Sequence, residues 1–186
     1  LQQSSAASDV YKRQEENPMI AWRGASRYMD ERFKPAFEME LDAMRSVKYD
    51  YGLDNLQLMV PFCRTPEEGS LVTGLLNEKG VGPASGTDLF VMVELPSNVI
   101  EADRFIEMMD LSGGSIGSND LVQTVYAVSR DDLEGYQNPI DARSPSVKAM
   151  IRDIVGKFNS KGMEIGICGQ APVSYTHLRA HETGWY

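Results

Sequence analysis

The chain has 186 residues, 42% of them hydrophobic and 24% charged, with 16 Gly and 9 Pro; this composition fits one soluble globular domain and excludes a disordered, collagen-like or coiled-coil chain. Eighteen Lys plus Arg against 27 Asp plus Glu leave a net charge of -9, and an acidic surface repels phosphate backbones, so nucleic acid is not an expected partner. No window approaches the roughly 18 consecutive apolar residues of a membrane helix, and two cysteines, Cys63 and Cys168, are too few for a disulfide framework, which together point to a reducing, cytoplasmic setting away from any membrane.

Residues 1–14, LQQSSAASDVYKRQ, lack helical or strand periodicity, and residues 174–186, SYTHLRAHETGWY, break abruptly from what precedes them. Both stretches read as foreign, resembling translated sequencing-adapter read-through, so the expected domain is 15–173. The only histidines, His177 and His181, fall in that tail, four residues apart and followed by Glu182. Without an apolar second shell, that spacing is a weak metal motif. Catalysis by a Ser-His-Asp or Cys-His set within 15–173 is thereby excluded.

The first strand-like apolar run is PMIAW, Pro18–Trp22, followed by Arg23. Phe33, Phe37, Leu41, Met44 and Val47 then form one stripe of an amphipathic helix ending near Gly52. Leu56–Phe62 is a nearly continuous apolar run, as expected of a strand covered on both faces. Thr65-Pro66-Glu67-Glu68 opens a helix, with Thr as N-cap, Pro at the first position and Glu at the capping-box position. Asp88–Leu95 is the next buried strand, and Pro96 starts one helix running through Ile100, Ala102, Phe105, Ile106 and Met109. A Gly113-Gly114 turn, a short strand over Ser115–Gly117 and a helix over Asn119–Val128 follow. Ser144-Pro145 caps a last helix to Phe158, and Met163–Cys168 is the final strand. Strands alternating with helices imply an α/β architecture around a parallel sheet. Arg23, Arg64, Glu94, Ser118-Asn119-Asp120 and Cys168 each follow an apolar run, which is where both barrels and open sheets build their sites. Periodicity leaves barrel or open sheet undecided.

ENPMIAWRGASRY (16–28), LMVPFCRTPEEG (58–69), VMVELPSNV (91–99), SIGSNDLVQ (115–123) and GICGQAP (166–172) closely resemble, in matching order, the C-terminal domain of the phosphoenolpyruvate synthase family of PEP-utilising enzymes. The resemblance covers nearly all of 15–172. It implies a (β/α)8 TIM-type barrel that binds pyruvate or phosphoenolpyruvate with Mg²⁺. About 250 residues and eight βα units make a full barrel, so the front of the barrel is expected to be missing here. Two departures stand out: Leu111-Ser112-Gly113-Gly114 replaces an aromatic and one glycine, and Val173 stands where the family continues with Ser-Asp.

The resemblance assigns roles residue by residue. Glu94 and Asp120 match the family's metal ligands, and one or two carboxylates are what Mg²⁺ takes while keeping positions for water and substrate; their ordinary roles would be a strand-end ion-pair partner and a helix N-terminal acid. Gly117, Ser118, Asn119 and Asp120 match the substrate-binding run, where backbone N–H groups at a helix start can meet an anion; the ordinary reading is an Asn/Asp cap and turn. Arg23 matches the substrate arginine, its planar fork suited to phosphate or enolate oxygens, whereas Arg27 and Arg64 read as structural. Cys168 matches the cysteine that donates a proton to the enolate and abstracts it in reverse; Cys63 reads as a small buried hydrophobe.

The implied reaction converts ATP, pyruvate and water to AMP, phosphoenolpyruvate and phosphate. The implied partners are pyruvate or phosphoenolpyruvate, a phosphohistidine domain elsewhere in the full-length enzyme, where nucleotide also binds, and a second copy in a homodimer. By the same resemblance this fragment alone is expected to be inactive. Rival readings are the related pyruvate, phosphate dikinase or phosphotransferase-system enzyme I barrel, and a non-catalytic ligand-binding fragment.

Overall fold

The computed structural model describes residues 17, 19–129, 140–169 and 171; the leader over 1–14, and His177 and His181 in the tail, lie outside them. In chain order the elements are α1 Ala25–Met29, α2 Lys34–Tyr49, β1 Gln57–Val60, α3 Pro66–Glu78, a 3-10 turn Pro83–Ser85, β2 Asp88–Val93, α4 Pro96–Ile100, α5 Ala102–Met109, β3 Gly113–Gly117, α6 Ser118–Tyr126, α7 Pro145–Ser160 and β4 Glu164–Cys168. The four strands form one parallel sheet in the order β1-β2-β3-β4, and every connection between neighbours contains helix, as parallel pairing demands. This is an α/β fold. No helix among the described residues is long and apolar enough to cross a membrane.

Local chemistry sets the helix ends. Along α2, Phe37 and Leu41 are buried and Met39 faces solvent, the one-sided stripe that ties it to the core. The Thr65 hydroxyl accepts from Glu68 N at 3.1 Å, so α3 begins where the cap pattern places it. Glu68 returns the contact one residue early, to Arg64 N at 2.7 Å, rather than to Thr65. Ser144 precedes α7 without a side-chain cap; its hydroxyl instead accepts from Asp141 N at 3.2 Å.

In β2 the buried residues alternate, Leu89, Val91 and Val93, with half-buried Phe90 and Met92 between them. The buried set joins Val72, Phe105, Ile116, Ile151 and Phe158 in one core between sheet and helices.

The structure corrects four expectations. Met19–Trp22 forms turns rather than a strand, Ile20 N and Ala21 N both donating to Asn17 O; Trp22 packs edge-on against Phe33 instead of entering the sheet. The apolar run at β1 is not covered on both faces, because Met59 is 42% exposed while Val60 is buried; β1 also pairs with β2 alone among the described strands. Gly113 and Gly114 lie inside β3, not in a turn: a Cβ at Gly113 would sit 2.5 Å from the Phe90 ring, and one at Gly114 3.0 Å from the Phe158 ring, so the missing side chains make room for aromatics on opposite faces. The helix after Pro96 breaks at Glu101 into α4 and α5, because Asn98 ties α4 to the β1–α3 corner while Phe105 and Met109 carry α5 into the core; Ile100, expected on the stripe, is therefore 70% exposed, and Val99 is buried in its place.

Candidate functional site

Glu94 follows the last residue of β2 and is 4% exposed. Its Oε1 accepts from Phe62 N at 2.6 Å, while its own N–H and that of Leu95 donate to Asn98 Oδ1 at 3.2 and 3.0 Å. Asn98 Nδ2 in turn donates to Cys63 O at 2.7 Å, so one amide locks the carboxyl ends of β1 and β2 together. Phe62 holds its N–H in place at φ 42°, a left-handed conformation that is a genuine outlier for a bulky residue and of the kind found at functional sites.

Asp120 stands in the first turn of α6 and is buried. Its two oxygens take the Arg23 fork, Nη1 to Oδ1 at 3.0 Å and Nη2 to Oδ2 at 3.3 Å. Arg23 also donates to Met19 O at 2.9 Å, and its guanidinium lies 4.2 Å from the centre of the Phe62 ring. The Glu94 carboxyl is pushed up to about 7, first by burial and then by the Asp120 carboxylate, against the pull of the Phe62 N–H and Arg23. A proton or a cation is therefore favoured at Glu94 near neutral pH. Gly117 makes this meeting of carboxylates possible, since a Cβ there would sit 2.8 Å from Glu94 Oε2; the glycine clears space for a protein carboxylate.

The other expected residues lie at the neighbouring strand end. Gly117 pairs with Cys168 across β3 and β4. The Ser118 hydroxyl donates to Cys168 O at 2.7 Å and Ser118 is 1% exposed, so its side chain joins α6 to β4. Asn119 is half-buried, its Oδ1 3.1 Å from where a Cβ of Gly169 would stand, and Gly169 adopts φ 100°. The half-buried Cys168 thiol contacts Met92 Sδ at 3.6 Å. The structure thus gathers Arg23, Glu94, Gly117 and Asp120 into one cluster, with Ser118, Asn119 and Cys168 beside it. Arg27 is buried, with its guanidinium 4.4 Å from the Trp22 ring centre. Cys63 is fully buried and burial pushes its thiol up to about 12, which keeps it protonated.

Sequence reasoning missed Phe62 and Asn98. Phe62 read as the tail of a strand, and nothing in residue type announces a left-handed phenylalanine. Asn98 carried a faint signal, an Asn in the first turn after Leu-Pro-Ser, where a side-chain amide can satisfy loose backbone N–H groups.

Among the described residues no group of three or more His, Cys, Asp or Glu is assembled to hold a metal. The Glu94–Asp120 pair still suits Mg²⁺, which uses one or two carboxylates and fills its octahedron with water and substrate oxygens.

At the carboxyl ends of these parallel strands two carboxylates, an arginine and a thiol thus come together. The chain belongs to the family described as PEP-utilising enzyme, PEP-binding domain, whose sequence pattern matches residues 3–180. It is 44% identical over 167 residues to the phosphoenolpyruvate synthase of Aquifex aeolicus (strain VF5), covering 89% of this chain and 19% of that protein. Over 166 residues it is 44% identical to the phosphoenolpyruvate synthase of Synechocystis sp. (strain PCC 6803), covering 89% of this chain and 20% of the relative. The Pseudomonas aeruginosa (strain UCBPP-PA14) phosphoenolpyruvate synthase is 42% identical over 170 residues, 91% of this chain and 21% of its own length. The chain therefore spans about a fifth of the length of these relatives. Among solved structures, an HpcH/Hpal aldolase/citrate lyase family protein from Burkholderia cenocepacia J2315 shares the fold with a TM-score of 0.51 at 16% identity, over 68% of this chain and 55% of that one.

Proposed function

We propose that this chain is the phosphoenolpyruvate- and pyruvate-binding part of a pyruvate, water dikinase, where a phosphoryl group passes between a phosphohistidine and the enol oxygen of pyruvate. The observation that carries the reading is the Glu94–Asp120–Arg23 cluster at the carboxyl ends of β2 and β3, in a chain over 40% identical to phosphoenolpyruvate synthases. The phosphohistidine and the ATP site belong to other parts of a longer enzyme. The sheet, with its half-buried second face and single-partner edge strands, is then part of a (β/α)8 barrel.

Glu94 and Asp120 would hold Mg²⁺, which when bound supplies Lewis-acid stabilisation of negative charge on substrate oxygens. The Arg23 fork, which pairs with Asp120 here, would be shared with a phosphate or carboxylate when Asp120 turns to the cation. The N–H groups that open α6 at Ser118 and Asn119, with no side-chain cap from Gly117, offer further donors to the same anion. The Cys168 sulfur takes the C3 proton of pyruvate, and the resulting enolate oxygen attacks phosphorus as the N–P bond of phosphohistidine breaks; in reverse the Cys168 thiol returns the proton to C3. Ser118 fixes the carbonyl of Cys168 and so the start of the loop beyond it.

The test is deuterium exchange at C3 of pyruvate, followed by NMR, in a full-length enzyme containing this segment. Cys168→Ser should keep Mg²⁺-dependent phosphoenolpyruvate binding and lose exchange by at least 100-fold, serine being far less acidic than cysteine. Unchanged exchange removes Cys168 from the chemistry.

A further inference from the structure

We infer that Arg64 is a positioning residue for Arg23, holding the loop that carries it and thereby setting the affinity of the site for the substrate anion. The inference rests on the proposed function only in taking Arg23 as the anion-binding group.

Arg23 sits on a segment with little structure of its own. Met19–Gly24 makes turns and bends, and α1 beyond it is one short helix of five residues. Among the described residues three backbone bonds hold the loop to itself, from Ile20 N and Ala21 N to Asn17 O and from Arg23 N to Ala21 O. Beside the Arg23 bonds to Met19 O and Asp120, Arg64, four residues beyond the end of β1, supplies four side-chain bonds to 20–26. Its Nη2 donates to Ile20 O at 2.9 Å and to Ala21 O; its Nη1 donates to Ser26 Oγ at 2.9 Å and to Arg23 O at 3.3 Å. Ser26 Oγ also donates to Arg23 O at 3.0 Å, so the carbonyl of the functional arginine is held from two sides.

The brace is itself anchored. Arg64 N donates to Glu68 Oε2 at 2.7 Å, and the Arg64 guanidinium lies 4.9 Å from the centre of the Phe62 ring, the same ring that Arg23 approaches at 4.2 Å. Every acceptor contacted by Nη1 and Nη2 within hydrogen-bond distance is a neutral oxygen, the Glu68 carboxylate standing farther off at 3.8 Å, and the four span both amino groups of a planar fork. An ammonium could reach one or two of them but could not reproduce the set. The charge of Arg64 is thus secondary to its shape, so lysine should fail as a replacement although it keeps the charge.

The test is a double-mutant cycle in a full-length protein containing this segment, with phosphoenolpyruvate and Mg²⁺ titrated by calorimetry and backbone amide exchange followed over residues 20–28. Arg64→Lys should weaken phosphoenolpyruvate binding at least 10-fold, leave the affinity for Mg²⁺ alone within twofold, and speed amide exchange over 20–28. In an Arg23→Met background the same lysine substitution should cost less than twofold, because a residue acting through Arg23 has nothing left to position. Equal losses in both backgrounds, or no loss and no change in exchange, would overturn the inference and leave the proposed function standing. If the unmutated protein binds no phosphoenolpyruvate with Mg²⁺, the proposed function falls, and the brace then stands or falls on whether Arg64→Lys speeds exchange over 20–28.

Discussion

Two carboxylates brought together under cover must share a proton, a cation or strain, and Glu94 records the outcome. Its carboxyl is raised from an ordinary 4.5 to about 7 by burial and by Asp120. Between those values the folded chain keeps a proton that the unfolded chain has lost, so this group's contribution to stability is full below pH 4.5 and is lost as pH rises through about 7. Thermal melts without Mg²⁺ should therefore show Glu94→Gln gaining on the unmutated protein between pH 5 and pH 8; a constant difference would mean that Glu94 is not perturbed. Gly117→Ala belongs to the same scale. Its Cβ would meet Glu94 Oε2 at 2.8 Å, so the carboxylate must move, and Mg²⁺ affinity measured by titration should fall about 10-fold, the effect of about 1.4 kcal/mol. At this scale the sequence was legible where chemistry is carried by residue type: Arg23, Glu94, Asp120 and Cys168 each follow an apolar run. It was opaque where chemistry is carried by backbone, as in the N–H of Phe62 that meets Glu94.

Elements were legible where local signals and tertiary packing agree. Thr65-Pro66 marks the start of α3 because cap and first turn are chemically determined, and Thr65→Ala should cost about 1 kcal/mol in a denaturant melt by leaving the Glu68 N–H without its acceptor. A loss below about 0.3 kcal/mol would show water replacing the cap without penalty. The α4–α5 break and the strand character of Gly113-Gly114 were not legible, because both answer to partners far along the chain: Asn98 to Cys63 O, Gly113 to Phe90 and to Glu164 O. Gly113→Ala would place a Cβ 2.5 Å from the Phe90 ring and 2.7 Å from a backbone oxygen. The backbone cannot yield as a flexible side chain can, so overpacking should destabilise by about 1–3 kcal/mol. A neutral result in the same melt would mean that β3 and β4 can separate slightly without penalty.

For the whole molecule, the order of alternating strands and helices announced a parallel α/β sheet, while periodicity left barrel and open sheet undecided. β1 and β4 each pair with one neighbour among those strands, and Met59 on β1 is 42% exposed. Unpaired parallel edges with apolar side chains are templates for pairing, so the isolated chain should self-associate in sedimentation velocity at micromolar concentration; a single monomeric species would refute this. In the proposed function Glu94 and Asp120 make anion binding conditional on a divalent cation. The most direct test is calorimetric titration of phosphoenolpyruvate into a full-length protein containing this segment, with and without Mg²⁺, beside Asp120→Asn. Binding that requires Mg²⁺ and weakens at least 10-fold in Asp120→Asn is the predicted result; binding of equal strength without Mg²⁺, or unaffected by Asp120→Asn, would contradict it.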